Sequence, residues 1–341
     1  MKTSARVVVI GGGVVGCSVL YHLAKNGWTD VILLERQELT SGSSWHAAGG
    51  LFTTTRPNSV AELHNYTFQI YRDLEQESDQ SCGFHHTGGL NICRTEEEIS
   101  SNQAMQSACR RLGIESHFIS KEEAQKRAPI LNTSFFLNAL WEENGGHVDP
   151  ASATQAFAIA ARKLGATIYR KTPVLGTTQL PDKSWEIKTN NGNIKTEFLV
   201  NAAGLWGREV GRMAGVELPL LPVEHHYLVT ESMPDIEGLE FELPQINDNE
   251  TGSYARQEGL GMLLGAYEST CVHWAKKGTP KDFGHELLPN DISRMEWNFE
   301  RSVELMPSLG TAGIKKIING PMIFSPDLGP LPVSYTHLTL P

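Results

Sequence analysis

A glycine cluster near the amino end constrains this chain more than any other feature. Gly11-Gly12-Gly13-Val14-Val15-Gly16 follows the β-branched run Val7-Val8-Val9-Ile10 and precedes a helical pattern over residues 17–27. A second apolar run, Val31-Ile32-Leu33-Leu34, stops at Glu35. Strand, G-x-G-x-x-G, helix, strand and acid, in that order, form the layout of a dinucleotide site. Gly11 permits the tight turn, Gly13 lets the backbone approach a pyrophosphate, and Gly16 lets helix and strand pack closely. Val14 and Val15 open the helix whose N-terminal amides would face the phosphates. Glu35 would accept hydrogen bonds from ribose hydroxyls, and an acid there disfavours a 2′-phosphate, leaving FAD or NAD.

Composition narrows the partners. With 341 residues the chain is long enough for about two domains. Hydrophobic residues make up 40% and charged residues 20%, sufficient for a sizeable core. The net charge of -10, with no basic stripe, argues against nucleic acid or an anionic membrane surface as partner. No apolar run approaches the roughly 20 residues of a spanning helix, and the first residues carry no signal-peptide core, so a soluble cytoplasmic protein is expected. The five cysteines are scattered and never form a CxxC pair, which disfavours a disulfide framework. His85, His86, His147 and Asp149 invite a metal reading, but their spacing is not that of a closed site, and no metal is expected.

The segments that follow favour FAD over NAD. Residues 40–51 form a small-residue loop interrupted by Trp45 and His46, able to lie against a flat ring system. Phe198-Leu199-Val200 leads into the small-residue turn Asn201-Ala202-Ala203-Gly204-Leu205-Trp206. Pro173-Val174-Leu175, after a helical segment over 151–165, reads as a further parallel strand. Three separated pieces around one dinucleotide site indicate a mixed α/β protein. Its Rossmann-like FAD-binding domain would be interleaved with an antiparallel-sheet substrate domain. Residues 58–78 read as an amphipathic core-packing helix, with Val60, Leu63, Phe68, Ile70, Tyr71 and Leu74 near helical spacing. Gly88-Gly89 opens a strand of the substrate sheet.

Specific segments carry a resemblance. SGSSWHAAG, GFHHTGGL, GGHVDPAS, NAAGLWGREVGRMAG, LPVEHHYLVTE, SYARQEGLGMLLGAYE and NGPMIFSPDLGP occur in order over residues 5–331. The chain resembles the dimethylglycine/sarcosine dehydrogenase group of FAD-dependent amine oxidoreductases, within the D-amino-acid-oxidase-like superfamily. The resemblance implies FAD attached covalently through its 8α-methyl to His46, an imidazole that must be neutral to add to that carbon. It also places Gly42, Ser43, Ser44, Trp45, Ala47, Ala48 and Gly49 around the flavin and pyrophosphate. The Val174 backbone would lie at the adenine and Trp206 in the A-A-G-x-W turn, where a core role is the alternative. Arg36 would lie near the adenosine or be an ordinary solvated charge.

On the substrate side, His225 takes the place of the flavin-facing histidine, although His226 stands where the family has glutamine and leaves open which ring points inward. Tyr254 and Arg256 share a strand face. Arg256 would hold a substrate carboxylate, with a pair to Glu258 or Glu268 as the alternative. The implied reaction is hydride transfer from an N-methyl carbon to flavin N5, with His225 helping to keep the amine neutral. Formaldehyde would be released, or the one-carbon unit passed to tetrahydrofolate in a C-terminal region the chain does not contain. An electron-transfer flavoprotein or oxygen would reoxidise the flavin. Alternatives are a non-catalytic flavoprotein-like regulatory subunit and an amino-acid oxidase with non-covalent FAD; His46 favours neither. The expected cofactor domain comprises residues 1–84, 146–221 and 311–331, and the substrate domain 85–145 and 222–310. Residues 332–341 read as a non-native tail on a truncated frame.

Overall fold

The computed structural model describes residues 1–331; the segment read as a non-native tail lies outside the described residues. In chain order the elements are β1 (Ser4–Ile10), α1 (Val14–Lys25), β2 (Val31–Leu34), β3 (Gly50–Leu51), α2 (Asn58–Ser78), β4 (Gly89–Cys93), α3 (Glu96–Arg110), β5 (Ser116–Ser120) and α4 (Lys121–Arg127). They continue with β6 (Asn138–Glu142), β7 (Gly146–His147), α5 (Pro150–Lys163), β8 (Thr167–Tyr169), β9 (Val174–Gln179), β10 (Trp185–Thr189), β11 (Gly192–Asn201) and α6 (Gly207–Met213). The last are β12 (Leu221–Thr230), α7 (Pro234–Glu237), β13 (Gln245–Asp248), β14 (Ser253–Glu258), β15 (Gly261–Ala266), α8 (Glu296–Leu305) and β16 (Ile314–Phe324).

Two sheets organise the chain. The first has the order β8-β2-β1-β11-β10-β9, parallel from β8 to β11 and extended by the antiparallel hairpin of β9 and β10. β2 reads as an unbroken apolar run because it is buried on both faces. α1 and α5 cover one face through Cys17, Leu20, Tyr21, Ala156, Phe157 and Ala160. The parallel strand after α5 is β8, whereas Val174 opens an antiparallel edge strand and packs under Val8 and Ile32. The parallel-strand reading of 173–175 is thus corrected: after α5 a three-residue connection leads into Thr167-Ile168-Tyr169, which fills the place beside β2 first.

The second sheet, β16-β12-β15-β14-β13-β4-β6-β5, is antiparallel except for the β13–β4 pair. Its two faces follow from strict alternation. Leu90, Ile92, Ile246, Ala255, Leu264 and Leu228 face an apolar core shared with Met295 and Leu305. Their neighbours Asn91, Asn247, Tyr254, Gly265 and Tyr227 lie in register on the opposite face. β16, grouped above with the cofactor domain, belongs to this sheet, pairing with β12 from Leu221↔Phe324 to Thr230↔Ile314. The single long strand has one edge on β12 to satisfy, and it takes that edge over its whole length.

Local signals set the boundaries. α2 forms over the expected residues and buries Phe68, Ile70, Tyr71 and Leu74, while Leu63 stays exposed. Asp149 is spent as the N-cap of α5, accepting from the Ser152 amide at 2.6 Å ahead of Pro150. No described helix is long and apolar enough to cross a membrane.

The glycine turn is sterically closed. A Cβ on Gly16 would collide with the Gly11 carbonyl oxygen, and one on Gly11, at φ +115°, with that of Ala202. Gly16→Val is therefore expected to lift α1 from β1 at a cost of about 3 kcal/mol. The protein should purify with little flavin absorbance near 450 nm per chain and a lowered melting temperature; an unchanged flavin content would contradict the role given to this turn.

Candidate active site

The N-terminus of α1 is left open for an anion. Its N-cap is Gly13, which has no side chain to cap with, and no acid lies in its first turn. The Val14 amide donates to Ser44 Oγ at 3.0 Å, which ties the helix to the small-residue loop, and Val15 is exposed beside it. Glu35 is buried and holds the turn: its carboxylate accepts from the Gly12 amide at 2.7 Å and from the Gln37 amide at 2.7 Å. Burial pushes its carboxyl upward, against those two hydrogen bonds. The guanidinium of Arg36 stacks 4.1 Å from the ring of Trp206, and Trp206 lies next to Gly42. Arg36 is therefore not merely a solvated charge, since it stacks on the Trp206 ring beside Gly42.

The loop carrying His46 is pinned to the second sheet at several points. Ser43 Oγ donates to the Pro321 carbonyl at 2.8 Å, and Arg256 Nε donates to the Ala48 carbonyl at 2.8 Å. The Leu51 amide donates to Gln245 Oε1 at 3.1 Å. Farther on, the Thr53 and Thr54 amides donate to the buried carboxylate of Glu142 at 2.7 and 2.9 Å. Gly49, at φ +76°, is required because a Cβ would strike the Val148 carbonyl oxygen. Ala47, just before Ala48, takes extended backbone at the end of the short helical turn Ser44–His46.

His46 ends up flat against β16. A Cβ on Gly320 would run into its imidazole, and Gly320 is the register partner of His225. The ring is 8% exposed, and its Nε2 has no hydrogen-bond partner; neither has the indole nitrogen of Trp45 beside it. Burial pushes the His46 pKa down to about 4, so the imidazole is neutral.

His225 is the inward ring. It lies on the face of Tyr254 and makes a 3.1 Å hydrogen bond through Nε2 to the Tyr254 hydroxyl, with Tyr267 at 4.9 Å between ring centres. Burial holds its pKa below the ordinary histidine value and raises that of Tyr254, so both are neutral. Tyr254 lies over Gly265, whose missing side chain makes room for the ring. His226 points to the other face and is fully buried. Its Nε2 accepts from the Asp291 amide at 3.2 Å, which fixes the proton on Nδ1, and Nδ1 donates to Glu268 at 2.6 Å.

Arg256 is close to its alternative partner: its guanidinium pairs with Glu258 at 2.6 Å while also binding the Ala48 and Gln257 carbonyls. Glu268 pairs instead with His226 and Arg294. Val174 opens the edge strand β9 and packs against the Val8–Ile32 cluster, two residues beyond Thr172, whose amide donates to the Glu35 carbonyl at 2.8 Å. Sequence reading missed Glu142, Gln245, Tyr267 and Gly320. Only the alternation of polar Gln245 and Asn247 around Ile246 signalled a polar sheet face.

Residues 6–335 match the profile of the FAD dependent oxidoreductase family. The chain belongs to that family. It is 40% identical over 336 residues to dimethylglycine dehydrogenase, mitochondrial, of Rattus norvegicus, covering 97% of this chain and 39% of that protein. It is 36% identical over 338 residues to sarcosine dehydrogenase, mitochondrial, of Homo sapiens, covering 97% of this chain and 36% of that protein. The chain thus spans under two fifths or about two fifths of these curated relatives. Among solved structures, L-proline dehydrogenase from P. horikoshii superposes with a TM-score of 0.84 at 25% identity, covering 97% of this chain and 84% of that one.

The residues present fit FAD. α1 offers the first-turn amides that follow Val14, whose own amide is held by Ser44, at a glycine turn. His46 offers a neutral, buried nitrogen with no protein partner.

Glu142 gives the loop's most demanding anchor. It is fully buried and accepts from two amides, the Thr53 hydroxyl and Asn91. Glu142→Ala strands these donors, at about 1–3 kcal/mol for each one left without an acceptor. We expect a melting temperature well below wild type, with Glu142→Gln falling between, since one carbonyl acceptor remains.

Proposed function

We propose that the protein oxidises a small N-methyl amino acid of the dimethylglycine or sarcosine type at its N-methyl carbon. The observation that carries this reading is the convergence of a neutral, unpartnered His46 with the His225–Tyr254 pair on one sheet face. The relatives named dimethylglycine and sarcosine dehydrogenase supply the substrate class. FAD, when bound, supplies the hydride acceptor. His46 would carry it covalently, and Gly11, Gly13, Gly16 and the α1 amides would hold its pyrophosphate. Arg36, Val174 and Trp206 would lie along its adenosine end, and residues 42–49 along the flavin.

The chain's own groups then divide the work on the substrate. A free N-methyl amino acid arrives with a protonated nitrogen, which cannot release hydride from its methyl group. Neutral His225 takes that proton, and the Tyr254 hydroxyl keeps the imidazole oriented. Arg256 would hold the carboxylate while shared with Glu258. Tyr254 would shield the reacting side from water, with the more exposed Tyr267 ring beside His225. The one-carbon unit leaves as formaldehyde or is passed to tetrahydrofolate. An electron-transfer flavoprotein or oxygen takes the electrons. The proposed cofactor part is 1–84 with 146–221 and the substrate part 85–145 with 222–310, β16 serving both through His46 and β12.

The test is anaerobic mixing of the flavin-loaded protein with dimethylglycine, sarcosine and glycine. The oxidised flavin band should bleach with the two N-methyl compounds and not with glycine. Bleaching by glycine alone would favour an oxidase of unsubstituted amino acids.

A further inference from the structure

A cluster of metal-binding side chains lies outside the roles assigned above. His85 precedes β4, His147 lies in β7, and Glu242 precedes β13, so three distant segments meet. His85 and His147 exchange backbone hydrogen bonds of 2.8 and 3.0 Å, which forces their side chains onto one side. The two imidazoles stack with centres 4.5 Å apart and planes 9° from parallel. The Glu242 carboxylate closes the open edge of this stack: one oxygen is 2.7 Å from His85 Nδ1 and the other 3.4 Å from His147 Nε2. One donor atom from each of the three residues lies within 4.8 Å of the others.

We propose that His85 Nδ1, His147 Nε2 and the Glu242 carboxylate bind a divalent transition metal of the zinc class. Two imidazoles and one carboxylate form an open zinc donor set, with metal–ligand distances of about 2.0–2.2 Å and a fourth position for water. The half-exposed sides of His85 and Glu242 give that water access, while His147 is buried. Magnesium and calcium prefer all-oxygen cages, whereas imidazole donors favour zinc, copper and nickel. The nearby positive charge of Arg256 is matched by Glu258 at 2.6 Å, so the site is not left cationic.

The neighbouring candidates are already occupied. Asp149 caps α5, and His86 Nε2 donates to the Glu143 carbonyl at 2.7 Å. The third ligand comes instead from Glu242, 95 residues beyond His147, which no local spacing reveals. A metal here would tie the segments before β4 and β13 to β7 and, through its pairing with β3, to the strand that follows the His46 loop.

The experiment is a calorimetric titration of the flavin-loaded, chelator-stripped chain with ZnCl₂. We expect one Zn²⁺ per chain with a dissociation constant on the order of micromolar or tighter. His85→Ala and Glu242→Gln, both partly exposed sites, should each weaken binding at least about tenfold. Thermal melts without zinc establish that both variants are folded. Co²⁺ in place of Zn²⁺ should give a visible ligand-field band that the variants lose. Absence of saturable binding up to about 100-fold above that range would overturn the proposal, as would equal affinity in wild type and both variants. The titration reads metal and not turnover, so its failure leaves the flavin reading intact.

Discussion

Acid precipitation of the flavin-loaded protein should bring the yellow colour down with the polypeptide, and His46→Ala should release it to the supernatant. A covalent link needs a neutral nucleophilic nitrogen that the protein does not already use. His46 meets both conditions, with Nε2 unpartnered and a pKa pushed down to about 4. Its ring is held by the flat surface of Gly320 behind it. Gly320→Ala should therefore act in the same direction, lowering the acid-stable fraction by displacing the ring while leaving the imidazole present. Mass spectrometry of the intact chain checks both variants: the wild type gains the mass of one FAD and His46→Ala does not. Acid-stable flavin in His46→Ala would place the attachment elsewhere.

His225→Ala is expected to lower kcat/KM by about 10²–10⁴-fold, the usual range for losing a positioned general base. Flavin content should stay at the wild-type level, because the change removes no contact assigned to the cofactor. The pH profile gives the sign. Burial holds the His225 pKa below 6.5, so the ring remains a neutral base as the pH falls through its ordinary value. Wild-type kcat/KM for the free enzyme should hold through pH 6.5 and decline only below it. In His225→Ala that acid limb should vanish, leaving a low rate set by the protonation of the substrate amine. Tyr254→Phe removes only the 3.1 Å hydrogen bond that orients the ring, and should give a smaller loss with the acid limb retained. An unchanged acid limb in His225→Ala would assign it to another group.

Much of this was legible in the chain because the signals were local. Gly11, Gly13 and Gly16 with Glu35 announce the turn, Gly11 and Gly16 being places that only glycine satisfies, and α2 follows from its own periodicity. The roles of single residues were less legible where they depended on register. Glu35 has the expected place but uses both oxygens on backbone amides. Val174 opens a hairpin edge because β8 takes the parallel position first. Residues 311–331 supply β16 to the second sheet, since a strand's partner is chosen by a distant edge and not by its own composition. Pairing parity alone divides His225 from His226: His225 shares a sheet face with Tyr254, while His226 pairs with Ala266 on the apolar side. Glu142 and Gln245 gave no local sign of their partners Leu51, Thr53 and Thr54, 88 or more residues away; those contacts exist only after the loop lies across the sheet.

The most direct measurement of the central claim is a single anaerobic turnover with sarcosine, quantifying products against flavin reduced. Oxidation at the N-methyl carbon predicts about one formaldehyde and one glycine per flavin, and no 2-oxo acid. Glyoxylate with methylamine in place of formaldehyde would mean that hydride leaves the α-carbon, and would contradict the account.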